Sequence, residues 1–216
     1  TEEATQIRAS DSIAAKYLRR IIGARELIHD VERWCLWLVD ADPNDMRTSK
    51  VISERVSAVK AQRDASTRSA TRELANTAHL FAFISQPSSQ YIAIPLHSSE
   101  EREYVPMAYL EPDVVANNAL SIIPDAPMWL FGILQSRPFN VWNKSVSGRL
   151  ESRVRISNTI TYNNFPFPQL DDARQEKLSR SAQKVLDSRE KYPNNSLADL
   201  YESTSMPAEL SKAHVK

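Results

Sequence analysis

The side chains with most chemistry to offer are arginines, and their spacing sets some of them in a row. Around Glu151 to Ser157 charged and apolar residues alternate, with Glu151, Arg153 and Arg155 out of phase with Val154 and Ile156. Successive side chains of a strand leave on opposite faces, so the pattern predicts one strand that presents an acid and two arginines to one side. A guanidinium matches the O6 and N7 of guanine, and a carboxylate accepts from the amino group of cytosine, so such a row is equipped to read base edges in a major groove. The same row would also serve as the polar face of a half-buried strand, held by cross-strand ion pairs.

The wider charge distribution points the same way. The 216 residues carry 27 basic and 27 acidic side chains and no net charge. Locally the balance is lost. From Arg47 to Arg72, Arg47, Lys50, Arg55, Lys60, Arg63, Arg68 and Arg72 face only Glu54 and Asp64, and from Arg137 to Arg155, Arg137, Lys144, Arg149, Arg153 and Arg155 face only Glu151. Arginine outnumbers lysine 18 to 9, and arginine is the cation suited to bidentate phosphate and guanine contacts. Two solvated faces are the plain alternative.

Other chemistries find little support. With three glycines, Gly23, Gly132 and Gly148, set far apart, there is no phosphate-cradling loop or dinucleotide turn of the usual kind. No Gly-x-Ser-x-Gly elbow occurs. Cys35 lies within an apolar run and reads as an inert thiol, and His29, His79, His97 and His214 are isolated, so neither a zinc site nor a catalytic base stands out. Glu100, Glu101 and Glu103 beside Arg102 read as a charged loop. The lone cysteine favours a reducing, cytoplasmic setting, and the longest apolar runs, Trp34 to Val39 and Met128 to Leu134, fall far short of a membrane span. A start at Thr1 on a polar stretch suggests a piece of something longer.

The elements that must position these residues follow from pattern. Residues 1–12 read as a frayed tail or linker, Arg33 to Val39 as a buried strand, and residues 48–75 as a long helix with Ser66 the place for a break. Tyr91 to Pro95, Tyr104 to Met107 and Leu120 to Pro124 read as strands of one mixed sheet. Met128 to Leu134 makes a buried helix after Pro127 that Pro138 ends or kinks, and Asn140 to Val146 makes a second. Asn163 to Pro168 leaves the sheet irregularly. Leu178, Ala182, Val185 and Leu186 then mark an amphipathic helix opened by Asp171 and Asp172, followed by short helices capped by Ser196 with Asp199 and started near Pro207. The expected class is α+β: a mixed β-sheet with packed helices over residues 1–168, then a small helical segment over residues 169–216.

Several phrases are more specific than pattern. Ala15-Lys16-Tyr17-Leu18-Arg19-Arg20, Ile22-Gly23-Ala24-Arg25-Glu26, Arg33-Trp34-Cys35-Leu36-Trp37-Leu38, Phe131-Gly132-Ile133-Leu134-Gln135-Ser136, Gly148-Arg149-Leu150, Tyr162-Asn163-Asn164-Phe165-Pro166-Phe167-Pro168, Ser196-Leu197-Ala198-Asp199-Leu200-Tyr201 and Met206-Pro207-Ala208-Glu209-Leu210 with Ala213-His214 occur in this order. Together they resemble the target-recognition and C-terminal regions of MmeI-like (type IIL) restriction-modification enzymes, over almost the whole chain.

The resemblance implies a polypeptide that fuses a nuclease, an adenine-specific DNA methyltransferase using S-adenosylmethionine, and a reader of double-stranded DNA, with this chain as the reader. It implies base-reading positions at Glu151, Arg153 and Arg155, and a second at Asn118 and Ala119. The basic faces supply phosphate-contact candidates: Arg55, Lys60, Arg63, Arg68 and Arg72 in the first, Lys144 and Arg149 in the second. No Asn-Pro-Pro-Tyr or Asp-Pro-Pro-Tyr tetrapeptide and no Phe-x-Gly-x-Gly loop occurs. The chain is therefore expected to hold no cofactor and no catalytic residue, leaving S-adenosylmethionine and Mg to the methyltransferase and nuclease domains of the parent. Half of a type I specificity subunit, a protein-interaction scaffold and an unrecognised enzyme remain the alternatives.

Overall fold

The computed structural model describes residues 1–215. In chain order the elements are α1 (Glu2–Ser10), α2 (Ser12–Lys16), β1 (Leu18–Ile22), α3 (Ala24–His29), β2 (Trp34–Leu36), α4 (Pro43–Thr48), α5 (Lys50–Asp64) and α6 (Ser69–Glu73). There follow β3 (Tyr91–Pro95), β4 (His97–Ser99), β5 (Ala108–Leu110), β6 (Val115–Ala116), β7 (Leu120–Pro124), α7 (Met128–Leu134) and α8 (Arg137–Val146). The last are β8 (Gly148–Leu150), β9 (Arg153–Arg155), α9 (Asp172–Glu190), α10 (Leu197–Leu200) and α11 (Ala208–Val215). The class is α+β. The chain forms two compact units, one of residues 1–21 and 32–86, the other of residues 22–31 and 87–216. No helix among the described residues is long and apolar enough to cross a membrane.

In the first unit the opening residues are a helix, not the expected frayed tail. Ala4 and Ile7, three apart on α1, are buried, and Ile7 packs with Ala14, Leu18, Leu38 and Ile52. Two apolar residues in a polar run are too few to see as periodicity, yet one buried turn is enough to order the segment. Asp11 caps α2 by accepting from the Ala14 N–H at 2.8 Å and also accepts from the Ser49 hydroxyl at 2.6 Å, while Ser49 caps α5. The buried strand expected over Arg33 to Val39 shortens to the half-buried β2, antiparallel to β1 with Leu36 opposite Leu18. The same register runs on past both strand ends, with the Trp37 N–H donating to the Tyr17 carbonyl at 2.8 Å and the Ile21 N–H to the Arg33 carbonyl at 3.0 Å. The helix expected over 48–75 does break around Ser66, into α5 and α6.

In the second unit the strands are shared between small three-stranded sheets rather than gathered in one mixed sheet. One has the order β5-β3-β7 and another β4-β9-β8, all with antiparallel neighbours. Central β3 is buried at every residue, and Ile92 and Ile94 meet Phe131, Leu134, Phe139, Ile156 and Ala182 in the main core. Gly132 lets α7 lie close on α9: a Cβ there would sit 3.2 Å from the Leu178 carbonyl oxygen and 3.3 Å from the Ala182 Cβ. Pro138 falls in the first turn of α8, where its missing N–H costs nothing, so it starts that helix three residues before the expected Asn140.

Tyr104 to Met107 is a buried connection and not a strand. Side-chain amides replace the strand partners it lacks. Asn140 accepts from the Val105 N–H at 2.8 Å, and Gln135 donates to the Val105 carbonyl at 2.7 Å. The helix marked by Leu178 to Leu186 is α9, capped by the Asp171 carboxylate on the Arg174 N–H, and Ser196 with Asp199 forms the expected capping box. On α9, Arg189 donates to the Met107 carbonyl at 2.7 Å, to Gln135 Oε1 at 2.9 Å and to the Tyr201 hydroxyl, tying α9 and the end of α10 to the buried connection.

Candidate nucleic-acid interface

The sheet β4-β9-β8 displays the arginine row. On the central strand β9, Val154 is 1% exposed and points to the core, while Arg153 and Arg155 stand exposed on the opposite face. Residues directly opposite each other across an antiparallel pair share a face. The register places His97 and Gly148 on either side of Arg155, and Ser99 and Leu150 on either side of Arg153. The outer face is therefore made of His97, Ser99, Arg153, Arg155, Leu150 and the bare backbone of Gly148. No carboxylate lies opposite either arginine, so the cross-strand ion pairs that would make this an ordinary polar face are absent from the register.

Glu151 is where the structure corrects the sequence. It is not part of the strand: Leu150 pairs with Arg153, leaving Glu151 and Ser152 as a two-residue hairpin turn. The period-two count from Arg153 runs straight through this turn. Glu151 has φ of 56°, a left-handed backbone that glycine adopts freely at the first position of such a turn and that strains a residue with a Cβ. Its carboxylate still reaches the row, accepting from Arg153 Nη2 at 2.5 Å. With the two side chains 49% and 75% exposed, the pair is a solvated one of small energy and leaves the guanidinium free to exchange partners.

The second pair of candidates joins the same edge. Asn118 is exposed in the turn before β7, and the Ala119 N–H donates to Asn117 Oδ1 at 2.8 Å. The Ala119 carbonyl accepts from the Leu96 N–H at 3.0 Å, and the Leu96 carbonyl from the Ile156 N–H at 2.9 Å. Leu96 precedes His97 and Ile156 follows Arg155, so this turn abuts the row at the end that His97 and Arg155 occupy. In the sequence this histidine stands isolated. Only the register reveals its position, and the sequence holds no signal of that register.

The phosphate candidates divide. In the second unit Arg149 donates to Glu100 at 2.9 Å and to the Lys144 carbonyl at 3.2 Å, and Lys144 is half-buried. In the first unit Arg55 pairs with Glu3, Lys60 with Asp64 at 2.8 Å, and Arg72 donates to the Ser66 carbonyl at 2.9 Å. Arg63 is withdrawn from the set. Its guanidinium donates to the carbonyls of Leu74 at 2.8 Å, Thr77 at 3.1 Å and Leu80 at 2.8 Å, closing the loop after α6. Arg68 is exposed and has no ion pair among the described residues. Cys35 lines an apolar cavity of about 240 Å³ beside Leu18, Leu36 and Val56, and burial pushes its thiol up to about 11, away from the reactive thiolate.

The chain is similar to known proteins along its length. The sequence model of the MmeI target recognition domain matches residues 1–169, and that of the MmeI C-terminal domain residues 170–216. DNA methyltransferase A of Bacillus subtilis (strain 168) is 37% identical over 200 residues, which are 93% of this chain and 23% of the relative. A solved structure of the Type IIL restriction-modification enzyme MmeI in complex with DNA superposes with a TM-score of 0.96 at 39% identity, over 99% of this chain and 29% of that one. The chain thus spans about a quarter of the length of these relatives.

Proposed function

Because the chain belongs to the MmeI family, carrying its target recognition and C-terminal domains, we propose that it is the double-stranded DNA reader of a longer restriction-modification polypeptide, directing adenine methylation and cleavage by other domains. The observation that carries the reading is the exposed Arg153 and Arg155 row with no acid opposite either residue. A guanidinium held on a strand, with little to hold it back, is placed to take guanine N7 and O6. Glu151, on the hairpin tip beside Arg153, supplies the acceptor that a cytosine amino group needs, and Asn118 and Ala119 form a second contact at the row's end. Arg55, Lys60, Arg68, Arg72, Lys144 and Arg149 are the proposed phosphate contacts, which fix register without reading sequence. In this reading S-adenosylmethionine and Mg belong to the methyltransferase and nuclease domains, and the parent works in the cytoplasm.

Binding of the purified 216-residue chain to duplex DNA tests the reading. The expected result is weak affinity for any sequence that falls steeply with added salt, because each neutralised phosphate releases counterions. Salt-independent binding, or none at low salt, would favour a protein-interaction scaffold.

Arg63 and Arg68 should behave differently in that assay. Arg68→Ala is expected to weaken binding to all sequences alike and to reduce the salt slope by about 1, with thermal stability unchanged. Arg63→Ala removes the Arg63 donors to three carbonyls, of which that of Thr77 still accepts from the Leu80 N–H and that of Leu74 from the Thr77 hydroxyl, and is expected to cost about 1–2 kcal/mol of stability, read by chemical denaturation. Equal stability for both variants would contradict the structural task given to Arg63.

A further inference from the structure

The turn that carries Asn118 and Ala119 is fastened through one residue, Asn117. Its main-chain N–H donates to the Ile22 carbonyl at the end of β1 at 2.9 Å, and its carbonyl accepts from the Leu120 N–H at 3.1 Å. The side chain closes the turn as well, with Oδ1 accepting from the Ala119 N–H at 2.8 Å. An asparagine that accepts from the main chain two residues on forms an Asx turn, in which the side chain sets the course of the backbone. Asn118 and Ala119 are thus placed relative to Asn117, and Asn117 is tied to β1.

The Asn117 side chain is itself held in a packed niche behind the turn. A Cβ on Gly23 would lie 2.4 Å from Asn117 Nδ2 and 2.7 Å from Oδ1, so the carboxamide fills space that any other residue at position 23 would need. Gly23 has φ of −111°, so it is this close approach, and not the backbone conformation, that calls for glycine. The niche has a firm floor. The Gly23 N–H donates to Glu26 Oε2 at 2.8 Å in the capping arrangement that opens α3, and Leu27 of α3 packs with Ile22, Tyr91, Ala93 and Leu120. The carboxamide therefore has one seat, between the start of α3 and the Ala119 N–H.

We infer that Asn117 is a positioning residue for base contact at the turn of Asn118 and Ala119, and that Gly23 admits its carboxamide. The inference rests on the base-contact role proposed above for that turn. Asn117 acts through its two neighbours and not on a base itself. Hydrogen bonds to base edges weaken steeply with misalignment, so a turn set loose loses discrimination although the sheet behind it remains paired.

The test is the methylated motif, read by modification-sensitive sequencing of DNA from cells expressing the intact parent polypeptide with Asn118→Ala, Asn117→Leu, Asn117→Ser, Gly23→Ala or Arg153→Ala. Leucine matches asparagine in size and offers no acceptor, whereas the serine hydroxyl can accept from the same N–H two residues on. Asn117→Leu is expected to lose about 10-fold discrimination at the position that Asn118→Ala relaxes, and to keep the position that Arg153→Ala relaxes. Asn117→Ser should retain the motif, and Gly23→Ala, by displacing the carboxamide, should relax the same position as Asn117→Leu. If Asn118→Ala relaxes a position while Asn117→Leu methylates the unaltered motif, at full or reduced rate, the inference is overturned and the base contact of the turn stands. Equal loss of discrimination in Asn117→Leu and Asn117→Ser would overturn it as well, because the acceptor would then not be what matters. If Asn118→Ala leaves the motif unchanged, the base-contact proposal for the turn fails first and the positioning role falls with it. Where Gly23→Ala no longer unfolds cooperatively, the two Asn117 variants decide.

Discussion

Arg153→Ala in the intact parent polypeptide is expected to relax or change one position of the methylated motif, at a cost of about 1–3 kcal/mol in discrimination between bases. The effect is large because the position offers no substitute. Arg153 is flanked across the sheet by Ser99 and Leu150, and neither carries a cation. Glu151 is coupled to it through their 2.5 Å contact, so the effects of Glu151→Ala and Arg153→Ala should not add. Exchange of both together should shift that position coherently. Arg180→Ala, which removes a solvated pair with Glu176 on α9, should leave the motif as it is. If Arg153→Ala folds, methylates and reads every position as before, the row is an ordinary solvated face.

That prediction could be framed from sequence alone, because the alternation of Arg153, Val154, Arg155 and Ile156 fixes which residues share a face whatever the partner strands are. What the alternation could not show was its own limit. A period-two pattern passes unbroken through a two-residue turn, so Glu151 counted as strand although its backbone is left-handed. Pairing partners are equally invisible in a single chain: His97 is 58 residues from Arg155 in the sequence and opposite it in the sheet. The helices were legible where the apolar stripe was long, as in α9, and missed where two residues did the work, as Ala4 and Ile7 do in α1. Arg63 shows a third limit. Charge counts treat every arginine of a cluster alike, and only the three carbonyls around its guanidinium separate a structural arginine from a free one.

The helical segment after residue 169 should make the stability of the second unit depend on acid through one residue. His214 on α11 stacks on Tyr104 with ring centroids 4.0 Å apart, and its Nδ1 lies 3.1 Å from the Gln135 main-chain carbonyl while its Nε2 lies 2.9 Å from the Tyr201 hydroxyl. A carbonyl only accepts, so Nδ1 carries the proton and Nε2 accepts from Tyr201, whose single O–H proton has this nitrogen nearer than its other acceptor, Gln135 Oε1 at 3.2 Å. The phenol oxygen in turn accepts from Arg189, whose charge therefore sits one hydrogen bond from the imidazole. A second proton on this ring would be buried beside that charge. Burial first, and Arg189 second, push the His214 pKa down to about 4, against the upward pull of the Gln135 carbonyl. The unfolded chain binds the proton near pH 6.5 and the folded one does not, so the contribution is complete above about pH 6.5 and is lost as the pH falls toward 4. A shift of this size corresponds to about 3 kcal/mol. His214→Gln keeps a polar side chain that does not titrate, so between pH 7 and pH 4 the unaltered protein should lose about 3 kcal/mol more than the variant in denaturant unfolding, where comparing the two cancels the acid response of every other group. Parallel stability curves for the two proteins across that range would show that His214 takes up its proton in the folded state as readily as in the unfolded one, and the hydrogen-bond directions assigned to Tyr201, Gln135 and Arg189 would then have to be reversed.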